Sequence, residues 1–353
     1  FVAPVGYFLA PRMLDWARVS PDVMPHALAY LRICFTASAP LFFMFIFAGA
    51  FNSVGDAQTP LKLALLSTVV NVLLSYALIA GPGPLPSLGT TGAAIGTCLG
   101  PLPSLIIAAW IILSRRSVIE PPPRYTLVPD MTIIRTVVRL GVPAGVQAVL
   151  LNLGGAVLFA FIGTLDRSAA AQAAFALCYG QLFSFVTWTG FGLRAAAATV
   201  MGQNLGAGNE ARAIRSVYVT AGLGTIWACS FGVAYWAFPA QLLGIFGAAD
   251  GPVLEIGATL LRFLGPSGVF VVLALAFTGG LQGAGDTKRP MYIAFITQIV
   301  VLLGICAWFA AQRTLTASTI WTAILIAHSL RLLLSFAAFH QGKWRGISVE
   351  FSD

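Results

Sequence analysis

The chain has 353 residues, of which 58% are hydrophobic and only 9% charged, and its mean hydropathy is +0.87. Such a composition excludes a water-soluble globule and places the chain in a membrane. The net charge of +8 is scattered in short clusters between apolar runs, so it is no nucleic-acid footprint.

Each apolar run is long enough for the roughly 30 Å hydrocarbon core, which takes about 20 helical residues. In chain order these runs predict a partial span at Phe1–Leu14 and then nine complete spans near 29–51, 61–81, 92–113, 140–163, 172–201, 217–240, 257–282, 291–311 and 318–339. The expected fold is an all-α polytopic membrane protein. Its only long polar connection, Ser114–Arg139, carries Pro121-Pro122-Pro123, which cannot continue a helix. This organisation predicts an N-terminal lobe at 1–113, a linker at 114–139, a six-helix C-terminal lobe at 140–340 and a polar tail at 341–353.

The two halves share a motif with its surroundings at a fixed offset of 230 positions. Gly55-Asp56-Ala57-Gln58-Thr59-Pro60 returns as Gly285-Asp286-Thr287-Lys288-Arg289-Pro290, and the same shift superposes Leu31-Arg32 on Leu261-Arg262, Phe47 on Phe277 and Gly49 on Gly279. Repeats of this kind place a substrate path between related halves in transporters. The second half begins near Leu140, so its counterpart is expected about ninety positions before Phe1. The expectation is that the first lobe lacks its front. Helices that would meet the absent segment are then expected to expose small and polar residues, including one face of the Asn71 helix.

Basic residues in the connections also alternate. Twelve Lys and Arg fall on the side of the Ser114–Arg139 linker and four (Arg12, Arg18, Arg167, Arg313) on the other. The positive-inside rule makes the linker and the C-terminus cytoplasmic and Gly81–Thr91 external. The Gly-Asp-x-x-x-Pro loops read as rigid hinges: Gly allows a tight reversal, Asp bonds backbone amides, and Pro is tolerated in a first helical turn. They lack the Lys-Ser/Thr ending of a phosphate loop. The run Gly202–Gly208 reads as a tight connection between spans. The five cysteines lie in apolar spans with no Cys-x-x-Cys pair, which gives no metal or redox site.

LQGAGDTKRPM at 281–291, FNSVGDAQTPL at 51–61 and MGQNLGAGNEA at 201–211 resemble the multidrug and toxic compound extrusion (MATE) family. So do NVLLSYALIA at 71–80, GAAIGT at 92–97 and Leu140-Gly141-Val142-Pro143. The resemblance implies twelve helices in two six-helix lobes, of which this chain would lack two and the start of a third. It further implies a secondary antiporter exporting amphipathic small molecules by alternating access against a cation, H+ or Na+, with no enzymatic step and no cofactor, as a monomer in the bacterial inner membrane. On the pattern of the DinF-like branch, Asn71, Ser75 and Thr97 match positions that support a coupling carboxylate. Another branch carries acids in the seventh helix; here Gln147 and Asn152 are the polar residues of the matching stretch.

Read by themselves, Asn71 and Ser75 are four apart and share a helix face; bonding to a neighbouring helix explains them equally well. All twelve Asp and Glu fall in loops, termini or span ends. Arg194, eight positions before Gly202, is too deep for easy snorkelling and is expected to line a wet cavity. Arg331, with His328 one turn earlier, is comparable in the last span, and a helix-to-helix contact or partial snorkelling to the cytoplasmic surface is its leading reading. Among the aromatic group Tyr179, Phe183, Phe185 and Trp188, packing is the leading reading. A lipid-linked oligosaccharide flippase of the same superfamily, or an inactive membrane protein, stays open as an alternative; the cationic interior leans to the flippase and the loop motifs lean to MATE.

Overall fold

The computed structural model describes residues 2–16, 23–81, 87–114, 117, 119, 129–248 and 250–347, and the described residues are helices and short connections with no strand. Most of the linker and the loop at 82–86, expected to be external, lie outside the described residues, as does the end of the tail. Two compact units emerge, Phe1–Thr126 and Leu127–Asp353. Among the described residues eight helices are long and apolar enough to cross a bilayer, and a bent pair taken as one span makes a ninth, in the order expected.

The first unit holds α1 (Val2–Trp16), α2 (Met24–Thr36), α3 (Ala39–Ser53), α4 (Gln58–Ala80), α5 (Thr90–Leu99) and α6 (Leu102–Leu113). The pair α2 and α3 bends by 46°, where Pro40 starts a new helix without an amide to continue the old one. Helix α5 lies on α4 at backbone distance. Gly92, Gly96 and Gly100 recur every four residues and form one stripe. A methyl group on them would meet the Leu78 carbonyl at 2.5 Å, the Ser75 hydroxyl, and Asn71 Cβ at 2.7 Å. Small residues at this spacing allow close helix contact where lipid offers no hydrophobic drive.

The outer face of α4 departs from expectation. It exposes Leu61, Leu65, Val69, Val72, Leu73, Tyr76 and Ile79, a band of mainly large apolar side chains in which Ala64 and Thr68 are small exceptions. The polar face of the helix is the one turned to α5. Polar groups in an apolar span gain from a protein neighbour, and large apolar groups lose nothing against hydrocarbon.

The second unit holds α7 (Met131–Ile162), α8 (Ser168–Phe175), α9 (Ser184–Gly206), α10 (Glu210–Ala237), α11 (Pro239–Gly244), α12 (Gly251–Gly283), α13 (Lys288–Ala294), α14 (Gly304–Ala311) and α15 (Ala317–His340). A π-helical segment joins α8 to α9 at Ala176–Leu182, and another joins α13 to α14 at Phe295–Leu303. The central element is α12, continuous through Pro266. Its Gly279 and Gly283 rest on the backbone carbonyls of Arg194 and Ala198 in α9. Two expected boundaries move. Helix α7 starts at Met131, inside the expected linker, because the Asp130 carboxylate accepts from the Thr132 and Ile133 amides at 2.8 and 3.2 Å. Helix α9 runs through Gly202 to Gly206, leaving a turn only at 207–209, where Gly208 has φ +72°.

The repeat is realised in the helix ends and in shared bonds of its two loops. Helices α3 and α12 end at Ser53 and Gly283, and α4 and α13 begin at Gln58 and Lys288, each pair 230 apart. In the loops between, Gly55 and Gly285 have φ +85° and +83°, a left-handed conformation that suits glycine. Their amides donate to the Asn52 and Gln282 carbonyls, each at 3.0 Å. The amides of Asp56 and Asp286 donate to Phe51 and Leu281 at 3.0 and 2.8 Å. Each Asp carboxylate then accepts from the amide three residues on, Thr59 at 3.0 Å and Arg289 at 3.2 Å. Pro60 and Pro290 sit in the first turn that follows.

Candidate functional site

In the first unit the sequence singles out Asn71, Ser75 and Thr97. Asn71 and Ser75 stand half-buried on the α4 face that meets α5, opposite Gly100 and Gly96 respectively. Thr97 is displaced from them around α5. It is exposed, its hydroxyl donates to the Ala93 carbonyl at 2.9 Å, and its side-chain neighbour across the helices is Tyr30 of α2. Among the described residues no hydrogen bond joins Thr97 to Asn71 or Ser75. The structure therefore gathers two of the three on one contact and leaves the third on a neighbouring face.

The second unit contains a cavity of about 440 Å³. Helix α7 supplies Asn152, Gly155 and Phe159; the first π segment supplies Tyr179; α9 supplies Thr187 and Phe191; the second π segment supplies Gln298; and α15 supplies His328 and Arg331. Both π segments thus present a polar side chain to it. A π turn rotates the residues that follow, and such turns gather at functional sites. Gln298 lies across α7 at Gly154, where a methyl group would collide with its stem. Rings stack in and behind the cavity wall: the lining residues Phe175 and Tyr179 lie 4.9 Å apart at 10°, and the buried Phe183 lies 6.3 Å from the His328 ring at 11°.

Among the described residues no Asp or Glu lines this cavity. Arg331 is only 9% exposed and His328 6%. Arg331 Nη2 and His328 Nδ1 are buried without hydrogen-bond partners, and no described carboxylate pairs with Arg331. A buried charge without a counter-charge is costly and marks a ligand or ion path by default. Arg194 lies twelve residues before the end of α9, roughly 18 Å at 1.5 Å per residue. It is half-buried, its guanidinium sits over the Phe191 ring at 5.4 Å, and it acts electrostatically on Arg331. Arg194 therefore borders the cavity through Phe191, while Arg331, read from sequence as a helix contact or a snorkelling side chain, lines it.

The MatE family model matches residues 1–77 and 143–308. The chain belongs to the MatE family. Over 330 residues it is 26% identical to the probable multidrug resistance protein NorM of Thermotoga maritima, covering 93% of this chain and 69% of that protein. The probable multidrug resistance protein YoeA of Bacillus subtilis is 24% identical over 332 residues, covering 92% and 70%. Among solved structures, an outward-facing multidrug resistance MATE transporter of the MOP superfamily superposes with a TM-score of 0.86 at 16% identity, covering 98% of this chain and 76% of that one. A MOP superfamily transporter from Pyrococcus furiosus, for which a reversed pocket polarity suggests a different function, also gives 0.86 at 17% identity, covering 96% and 74%. These likenesses agree with an all-helical membrane transporter fold.

Within this MATE fold the remaining predicted residues separate. Gln147 is buried and accepts a hydrogen bond from Gln282 Nε2 at 3.0 Å, so it ties α7 to α12 and does not line the cavity. Asn152 does line it, with its Nδ2 donating to the Ala148 carbonyl at 2.9 Å. Of the aromatic group, Tyr179 reaches the cavity, Phe183 is fully buried, and Phe185 and Trp188 are exposed. Gln298 and Thr187 were not singled out by sequence. Gln298 had a signal, an amide inside the apolar run 291–311; Thr187 had none, because a Thr in a membrane helix ordinarily bonds its own backbone.

Proposed function

We propose that this MATE-family protein is a secondary active exporter of amphipathic organic compounds, driven by inward movement of a cation, a proton in preference to sodium, through alternating access of its two lobes. The observation that carries this reading is the repeat: two loops 230 residues apart share φ angles and hydrogen bonds to within a few tenths of an ångström. Equivalent rigid turns in two halves suit rocking of one half against the other. On this reading Asn71 and Ser75 support the coupling site, with Thr97 in an accessory position, and the hinge residues Gly55, Asp56, Pro60, Gly285, Asp286 and Pro290 keep each helix pair rigid. The relatives' names, both multidrug resistance proteins, support the substrate class. The membrane is the bacterial inner membrane, with the inter-lobe linker and C-terminus cytoplasmic, and the working unit is a monomer.

The test is export of a fluorescent amphiphile from inverted vesicles under an imposed proton gradient. Asn71→Ala is expected to lower gradient-driven export several-fold at normal expression. Unchanged export would remove Asn71 from the coupling site, and export indifferent to the gradient would remove antiport.

A second reading has its own observation. The acid-free cavity beside Arg331 and Arg194 would suit flipping of an anionic lipid-linked sugar. Movement of a pyrophosphate-linked lipid across proteoliposomes, with no export of amphiphilic drugs, would establish it in place of export.

A further inference from the structure

Arg331 sits mid-way along α15, roughly 14 Å from its C-terminal end at 1.5 Å per residue, too deep to reach water along its own helix. Arg331 lines the cavity with little of its side chain exposed and with Nη2 buried and unpartnered, and Arg194, whose guanidinium lies over the lining residue Phe191, is a second cation at its border. The other polar groups there are the Tyr179 and Thr187 hydroxyls, the Asn152 and Gln298 amides and the His328 ring, all able to donate hydrogen bonds. Phe159, Phe175 and Phe191 line the same cavity. Among the described residues that line this space, a cation would find no carboxylate and the guanidinium residue Arg331. A volume of about 440 Å³ falls in the small-ligand range of about 300–1,000 Å³.

We propose that this cavity binds an amphipathic anion, whose carboxylate or phosphate head pairs with Arg331 and whose apolar body lies along the phenylalanine walls. Guanidinium matches such planar or tetrahedral oxyanions with two parallel donors. The proposal deepens the export reading by naming a substrate class, and rests on it for transport but not for binding. A membrane lipid and a free amphipathic acid share this chemistry.

The experiment uses the full chain in phosphatidylcholine nanodiscs, titrated calorimetrically with dodecanoate against empty discs. Saturable binding of one dodecanoate per chain is expected, with no competition from dodecyltrimethylammonium. Arg331→Gln is expected to weaken binding at least tenfold and Arg331→Lys to restore part of it. Should Arg331→Gln fail to fold, Asn152→Phe decides: it fills the cavity from an exposed position and is expected to abolish binding at unchanged helicity and Tm. Equal binding of the cationic amphiphile, or dodecanoate binding unaltered by these substitutions, would overturn the proposal. Replacing part of the phosphatidylcholine with phosphatidylglycerol separates the sources: weakened dodecanoate binding identifies a lipid occupant, and unchanged binding a free acid, the site standing in both cases. Binding without export sinks the export reading alone; export without binding sinks this site alone.

Discussion

Asp56 and the matched pair Gly49 and Gly279 show what single residues contribute to the repeat. Hydrogen bonds from the Thr59 hydroxyl and amide hold the Asp56 carboxyl below the usual carboxylate range. A depressed value means that the ionised group stabilises the fold above the unfolded pKa and loses that contribution as pH falls through the folded one. Asp56→Ala is therefore expected to cost about 1 kcal/mol at neutral pH. Its deficit in Tm against the parent should narrow in strong acid, and a deficit independent of pH would show that the carboxylate charge is not involved. Gly279 and Gly49 are matched in sequence, yet only Gly279 faces a carbonyl, that of Arg194; Gly49 has open space around it. Gly279→Ala should lower Tm by several degrees. Gly49→Ala should leave it level or raise it, since Ala in a helix gains roughly 0.5–1 kcal/mol over Gly. Equal losses at both positions would contradict the packing described.

At the scale of elements, the α4–α5 contact depends on three glycines at four-residue spacing. Gly92 meets the Leu78 carbonyl, which cannot move aside, so Gly92→Ala is expected to part the two helices and destabilise the first unit. Gly145→Ala in α7 meets nothing within 4 Å and serves as the control. Differential scanning fluorimetry of both variants checks this; a neutral Gly92→Ala would mean that the helices do not depend on backbone approach. The stripe was visible in the sequence as GAAIGT, but its partner was not. Asn71 and Ser75 were legible as sharing one face, and only the packing showed that the face meets Gly96 and Gly100. Thr97 could not be excluded from that group by spacing alone, because it lies on another helix.

For the whole molecule the first expectation is topological. The Arg345 guanidinium meets Glu210 at 2.7 Å and the Arg167 guanidinium meets Glu255 at 3.3 Å, so the tail shares an end of the second unit with the turn after α9, and the turn after α7 shares an end with the start of α12. Both groupings follow the charge alternation. In intact cells a cysteine replacing Thr314 should react with a membrane-impermeant maleimide and one replacing Lys343 should not. The reverse pattern would invert the orientation. Both ion pairs join exposed groups, and such pairs contribute at most about 1 kcal/mol, so their removal should leave Tm nearly unchanged.

Span number, order and the two-fold repeat were determined by the sequence alone, because a membrane helix must be about 20 apolar residues long and must satisfy its own backbone. These are local demands, visible one segment at a time. The Gly-Asp-x-x-x-Pro turns were legible for the same reason: every partner in them lies within five residues. The cavity was decided by tertiary structure. Asn152, Tyr179, Gln298 and Arg331 come from four separate elements, and two of them are aimed by π turns that leave no mark in composition or periodicity. Apolar surroundings look the same in sequence whether a side chain meets lipid, core or cavity. Which of the three applies is set by how the helices pack, and this is why Arg331 read as a helix contact or a snorkelling side chain and became a cavity wall.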